Sequence, residues 1–365
     1  MSPDVDLIVA VHSPDRPVER AVRSVLAGTE ADVRVTVVCH GLATDVVANR
    51  LDSFAEDPRL RLVRHDDGMR SPAGPFNAGL GLATAAFTSV MGSDDTLEPG
   101  ALDSWLALAG RRQADVVIAR LRHASGAGVP TPPVRPWRRG LLDGVRDRLS
   151  YRSAPLGLVR RERFGDLRFT ERVAVGEDIP YVSRLWFSPA RVVLDRGPAY
   201  VIGDDAEDRV TLVPRPVADE LAYVPHVVDA AWFAALTDEQ RLALVVKLLR
   251  VQVFGAVANR PDPAWWTASE RADLARLTAA LVAAAPRVRR VLSRADLRLL
   301  GVVAETGSGR EDGTEGARTS ERLVAAAVDR RRFGRPSTLL PADPRAVLHR
   351  EAPLRWAAAS WIVAR

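Results

Sequence analysis

The feature that most constrains this chain is an alternation near its amino-terminal end. Short runs of β-branched and other apolar residues at 5–11, 33–38, 60–63, 89–91 and 116–119 are separated by amphipathic stretches at 18–26, 44–54, 76–86 and 100–109. Strand-like runs that alternate with segments of 3.6-residue period build β-α-β units, and such units form a largely parallel sheet covered by helices. In these sheets ligands sit beyond the carboxyl ends of the strands, where the strand order reverses. Chemistry is therefore expected just after Val11, Val38, Val63 and Met91.

The pattern does not continue to the end of the chain. Residues 126–136 carry Pro130, Pro132, Pro133 and Pro136 among glycines and read as an irregular connection. Beyond Pro214 and Pro216 the apolar residues fall at helical spacing, as in Leu242, Val245, Val246, Leu249 and Val253, with no convincing strand. A length of 365 residues suits about two domains. The expected divisions are an α/β domain at 1–213, a helical domain at 214–304, a polar glycine-containing linker at 305–320 and a helical tail at 321–365.

Composition excludes several classes of protein. The single cysteine, Cys39, rules out an internal disulfide framework and a cysteine-rich zinc site, and its place in an apolar run suits packing. The net charge of +5 comes from 51 basic against 46 acidic residues, with Lys247 the only lysine. The arginines are spread along the chain and interleaved with carboxylates, so no nucleic-acid partner is expected. No run of eighteen apolar residues offers a membrane span, and no leader-like segment opens the sequence, so the expected location is the cytoplasm.

Two acidic motifs could carry chemistry. Gly92-Ser93-Asp94-Asp95 lies where an apolar run ends, and carboxylates at a strand's carboxyl edge can hold Mg²⁺ or Mn²⁺ together with substrate phosphates. Gly176-Glu177-Asp178 precedes an apolar helical stretch at 179–187, where a carboxylate can act as general base. Each motif can equally be the capped start of a helix. His12 and His40 lack a clustered third ligand and make weak evidence for zinc, and Trp265-Trp266 suits packing between helices.

Taken in order, the runs at 5–11 and 33–38, Asn77-Ala78-Gly79, Ser93-Asp94-Asp95 and Gly176-Glu177-Asp178 resemble the family 2 glycosyltransferases over residues 5–211. The resemblance implies a GT-A fold, that is, a Rossmann-like nucleotide-diphospho-sugar transferase domain, followed here by an all-helical region. It implies an inverting transfer from a nucleotide sugar, UDP-sugars favoured, with Mn²⁺ or Mg²⁺ as cofactor. Asp94 and Asp95 would then bind metal and donor, and Asp178, with Glu177 beside it, would deprotonate the acceptor. His12 and Ser13 take the place of the family's strand-one motif at the nucleobase. Asn77, Arg209 and Thr211 match further donor-binding positions, and Asp66 or Asp45 is an alternative nucleobase contact.

The family pattern is incomplete here. Gly92 replaces the first aspartate of the usual Asp-x-Asp, and Cys39-His40-Gly41 replaces an acidic turn. A sugar nucleotidyltransferase and a non-catalytic polysaccharide-binding scaffold therefore stand as alternatives, although the first normally needs a glycine-rich basic loop that residues 13–17 do not supply. The helical region resembles that of enzymes building cell-wall or surface polysaccharides, which implies a glycan, polyol-phosphate or lipid-linked acceptor. Arg250, Arg287, Arg289 and Arg290 are candidate phosphate contacts. The tail at 354–364, with Trp356 and Trp361, is a candidate for peripheral membrane contact at the inner face of the membrane or for homo-oligomer packing.

Overall fold

A computed structural model describes residues 2–135, 137–204, 215–307, 313–332 and 334–364. The alternation yields β1 (Val5–Val11), β2 (Val33–His40), β3 (Leu60–His65) and β4 (Phe87–Gly92), all parallel, as expected. Six shorter strands follow: β5 (Thr96–Leu97), β6 (Val116–Ile118), β7 (Leu121–His123), β8 (Gly157–Arg160), β9 (Val192–Leu194) and β10 (Tyr200–Ile202). The main sheet runs β3-β2-β1-β4-β8-β6-β9, with β8 antiparallel to both neighbours, and a small sheet runs β5-β10-β7.

Strand order reverses between β1 and β4, where Ala10 lies opposite Gly92. One sheet face buries Leu7, Val9 and Val35 against helices Val18–Leu26 and Ala101–Arg112, with Trp105 fully buried. The other face buries Ile8, Val38 and Val90 against helices Ala73–Gly81 and Asp178–Trp186. A charged group anchors the edge of this core. Asp6, 1% exposed, accepts from Arg34 Nε at 2.7 Å and Nη2 at 3.0 Å and from the amides of Thr84 and Ala85 at 2.6 and 2.8 Å. Burial alone would raise its pKa, but those bonds, above all the one from Arg34, hold it below the usual carboxylate range.

The same aspartate corrects a helix boundary. The stretch at 76–86 was expected to be helical throughout, yet the helix is Ala73–Gly81. It starts earlier because Pro75 is tolerated in a first turn. It stops earlier because the Thr84 and Ala85 amides are bound to Asp6.

From residue 215 the described chain is helical, as expected. Helices Tyr223–Val228, Asp238–Lys247, Ala268–Ala284 and Arg294–Glu305 enclose a core of Tyr223, Leu244, Val245, Leu274, Leu281 and Leu299. That core also takes in Ile179 and Phe187 from the two ends of the Asp178–Trp186 segment. The expected linker is corrected in part: helix Thr314–Arg331 begins inside it and buries Gly316, Thr319, Ser320, Leu323 and Ala327. Small residues let this helix lie close to its neighbours, which a composition reading mistakes for flexibility. Residues 308–312 lie outside the described residues.

Arg250, expected to meet phosphates, turns inward instead. It is 7% exposed, its Nη2 donates to the Glu351 carbonyl at 2.7 Å, and its Nη1 lies 3.6 Å from Glu351 Oε2. It thereby ties the carboxyl-terminal segment to the helical core. Trp266 is buried and packs edge-on to Trp265 at 5.0 Å, in keeping with the packing reading. Leu354 and Trp361 of helix Pro353–Ala364 are exposed. Among the described residues no helix is long and apolar enough to cross a membrane.

Candidate active site

His12 and Asp94 follow β1 and β4 at the carboxyl edge of the parallel strands. Asp94 follows β4 at the strand-order reversal, and its Oδ2 pairs with Arg16 Nη1 at 2.8 Å. Arg16 lies in the turn after β1 and is 9% exposed, while Arg20 Nη2 donates to the Asp94 carbonyl at 2.8 Å. These two arginines surround the aspartate with fixed positive charge. Among the described residues no hydrogen bond engages Asp94 Oδ1. A single carboxylate that shares its cation with substrate phosphates is a normal Mg²⁺ or Mn²⁺ arrangement, so Asp94 fits the metal role.

Asp95 does not fit it. The Tyr200 hydroxyl donates to Asp95 Oδ2 at 2.5 Å, and the Gly203 amide donates to Oδ1 at 2.9 Å. The same hydroxyl accepts from the Gly92 amide at 3.1 Å. Burial raises the Asp95 pKa against the lowering effect of those bonds. This aspartate fastens β10 beside the Asp94 turn, a structural use of a residue expected to hold metal. The turn is also tight around Gly92. A Cβ there would lie 2.7 Å from Asp95 Oδ2 and 3.1 Å from Asp94 Oδ1.

At the ends of β2 and β3 the nucleobase positions need correction. Asp66 points to solvent, 58% exposed, with only Arg64 at 3.9 Å. Its neighbour Asp67, also exposed, turns toward the two histidines instead, with Oδ1 2.8 Å from His40 Nε2 and Oδ2 3.3 Å from His65 Nε2. Burial raises the Asp67 pKa, but the hydrogen bonds, led by His40 and the Met69 amide, bring it down to about 2. Among the described residues this is the one triad whose potential ligand atoms lie within 4.8 Å of one another. His40 was expected to lack a cluster because His65 and Asp67 reach it only through strand pairing, with His40 opposite His65. His12 is exposed at the end of β1, and the Ser13 hydroxyl accepts from the Asp15 amide at 3.2 Å.

Asn77 also turns out to be a brace. Its Nδ2 donates to the Phe169 carbonyl and to Glu171 Oε1, both at 3.0 Å, and its Oδ1 accepts from the Phe169 amide at 2.8 Å. Phe169 in turn stacks on Tyr181 at 4.5 Å. Asn77 therefore positions the segment that leads to the second acidic motif. Arg209 and Thr211 lie outside the described residues.

Glu177 and Asp178 sit at the start of helix Asp178–Trp186, half-buried at their surface but enclosed by protein on most sides. Gly176 ahead of them has φ +77°, and a Cβ there would lie 2.4 Å from the Tyr223 ring. Only glycine fits on both counts. Burial raises both carboxyl pKa values, and the Asp178 charge pushes Glu177 further. Lys247 opposes the rise at Asp178. Two adjacent carboxyls with such different surroundings hold unequal protons near neutrality, which suits one of them to accept a proton.

A stability prediction follows from the sign of the Glu177 shift. A carboxyl whose folded-state pKa is raised keeps its proton where the unfolded chain has lost it, so folding weakens as pH rises above the ordinary glutamate range. Glu177→Gln should remove that slope and stabilise by roughly 1–2 kcal/mol at pH 8, with little gain near pH 4.5. Thermal unfolding of both proteins across that range checks it; a gain independent of pH would refute the assignment.

Sequence reading missed Arg16, Arg20, Asp67, Tyr200, Tyr223 and Lys247. Arg16 was legible as a cation directly after the strand at the reversal point. The others acquire their roles from partners distant in sequence: Arg20 and Tyr200 meet Asp94 and Asp95 from 74 and 105 positions away, and Asp67 meets His40 from 27 positions away.

With this geometry in place, comparison with known proteins is informative. Residues 6–168 match the family described as Glycosyl transferase family 2. The succinoglycan biosynthesis protein ExoO of Rhizobium meliloti (strain 1021) is 27% identical over 214 residues, an alignment that takes in 54% of this chain and 60% of ExoO. The fold is that of S. aureus TarS residues 1–349 in complex with UDP-GlcNAc, with TM-score 0.71 and 17% identity over 92% of this chain and 93% of that one. The corresponding TarS complex with UDP gives a TM-score of 0.67 at the same identity and coverage.

Proposed function

Through residues 6–168 this chain belongs to the family 2 glycosyltransferases, and from that premise we propose that it is an inverting, metal-dependent enzyme that moves a sugar from a UDP-sugar to a hydroxyl of a surface-polysaccharide or cell-wall acceptor. The observation that carries the reading is Asp94 at the strand-order reversal between Arg16 and Arg20, with Asp67 at the end of β3 and the acidic turn at Asp178 supporting it.

The nucleobase fits at the ends of β2 and β3, where the ionised Asp67 can accept from a base N–H. The diphosphate fits beside Asp94, where the Arg16 and Arg20 charges favour it in the bound state and as the leaving group. A divalent cation held by Asp94 would neutralise the diphosphate as negative charge develops on it. The Asp178 carboxylate takes the proton of the acceptor hydroxyl. The acceptor oxygen then forms its bond to the anomeric carbon, whose bond to the phosphate oxygen breaks with the electron pair leaving on the diphosphate. Attack from the face opposite that bond inverts the centre.

The polysaccharide acceptor rests on the likeness to ExoO, of whose length the alignment spans 60%. The donor class rests on the ligands of TarS. The proposed functional division is a transferase domain at 1–213 with a helical region that completes the site. Calorimetric titration with UDP, GDP and ADP, each with and without Mn²⁺, tests the donor half. UDP should bind more tightly with Mn²⁺ than without it; no binding by any of the three would overturn the reading.

A further inference from the structure

The triad at the ends of β2 and β3 has the donor set of a metal site. His40 and His65 stand opposite each other in the parallel register, with ring centroids 5.6 Å apart and planes tilted by 39°. Both present Nε2 to one carboxylate: Asp67 Oδ1 is 2.8 Å from the first and Oδ2 is 3.3 Å from the second. The Met69 amide donates to the same Oδ1 at 3.0 Å and fixes the turn that carries Asp67. His65 Nε2 is shut off from solvent and, among the described residues, makes no hydrogen bond. A buried nitrogen in that state costs free energy unless an ion or a water engages it.

A glycine lets these atoms reach their place. Helix Ala73–Gly81 begins against the triad, and a Cβ at Gly74 would lie 2.0 Å from Asp67 Oδ2 and 2.6 Å from His65 Nε2. Cys39 faces the core with Val37 and Leu51, on the sheet face opposite to His40, so the donors are two imidazoles and a carboxylate. That is the set of a zinc site with an open fourth position, and Zn²⁺ at about 2.0–2.1 Å from each ligand holds the ligand atoms roughly 3.3 Å apart. The three atoms here lie within 4.8 Å of one another, and the exposed Asp67 leaves a way in. The triad is separate from Asp94: β1 lies between β2 and β4, which puts the two places about 10 Å apart at the usual strand spacing, too far for one cation to serve both.

We propose that His40, His65 and Asp67 are a Zn²⁺ site, and that the bound ion withdraws Asp67 from the nucleobase. The second half rests on the reading of Asp67 as the base contact; the first does not. Imidazole nitrogens suit Zn²⁺, whereas a carboxylate with phosphate oxygens suits Mn²⁺, so the two cations sort between the triad and Asp94. They act on the donor in opposite directions. Mn²⁺ at Asp94 favours the diphosphate, while an Asp67 carboxylate coordinated to Zn²⁺ no longer offers its charge to a base N–H. Donor binding is then sensitive to the ratio of the two metals.

The probe is Zn²⁺ alone, titrated calorimetrically into the full chain after chelation and dialysis. Wild type should bind it, and Asp67→Asn and His65→Ala should each lower the affinity by at least about tenfold, while Asp94→Asn should leave it within about twofold. Thermal unfolding without metal shows that each variant is folded. No binding by wild type, or binding that both triad variants keep, overturns the site. In a second arm UDP is titrated at saturating Mn²⁺, with and without Zn²⁺. At free Zn²⁺ about ten times its dissociation constant, competition should weaken UDP about tenfold in wild type and leave it unchanged in His65→Ala. A UDP affinity that bound Zn²⁺ does not alter overturns the competition. If UDP binds under no condition while the triad variants lose Zn²⁺, the donor reading fails and the metal site stands.

Discussion

Asp178→Asn is expected to lower sugar transfer by about 10²–10⁴-fold, the range a positioned general base contributes, and to leave UDP affinity within about twofold of wild type. The two expectations belong together. Asparagine keeps the size and hydrogen-bonding capacity of the side chain but cannot take the acceptor proton. The proposed donor contacts at Asp94, Arg16 and Asp67 come from the turns after β4, β1 and β3, none of which the substitution touches. The loss should fall on kcat, because the interaction removed is made only as the acceptor oxygen attacks. Single-turnover transfer measured beside calorimetric UDP binding separates the two. A variant that loses both together would place Asp178 in donor binding and refute its role as base.

Asp94→Asn is expected to act on the other half of the reaction. The tightening of UDP binding by Mn²⁺ should disappear, with a fall of tenfold or more in affinity at saturating Mn²⁺, about 1.4 kcal/mol for each factor of ten. Without the cation the change should be small, since Arg16 and Arg20 remain beside the position proposed for the diphosphate. That contrast marks a metal ligand. A uniform loss with and without Mn²⁺ would show instead that Asp94 only shapes the turn. Calorimetric titrations on both proteins, with and without chelator, decide between them.

The parallel strands and the motif positions at their ends were legible because long apolar runs and their alternation with helical segments are properties of neighbouring residues. The roles at the sheet edge were less so. Asp95 reads as a metal ligand until Tyr200, from a three-residue strand, is seen to donate to it. Asp66 and Asp67 are indistinguishable in sequence, and only the register of β2 and β3 turns one outward and the other toward His40 and His65. Asn77 reads as a donor contact because its use is set by a segment ninety-two positions away. The helical region was legible as helix, but Gly316, Thr319 and Ser320 looked like a linker because close packing and flexibility draw on the same small residues.

The helix that begins at Asp178 contributes Tyr181, Val182, Leu185 and Trp186 to the core beneath the sheet, while Ile179 and the adjoining Phe187 belong to the core of the helical region. The proposed base is thus mounted on a pin driven through both bodies. Any repacking of the helices that reshapes the acceptor side also turns that pin, and with it the direction in which the carboxylate faces. On the proposed function, acceptor range and proton transfer are then not separately adjustable traits: a lineage that alters the first must retune the second.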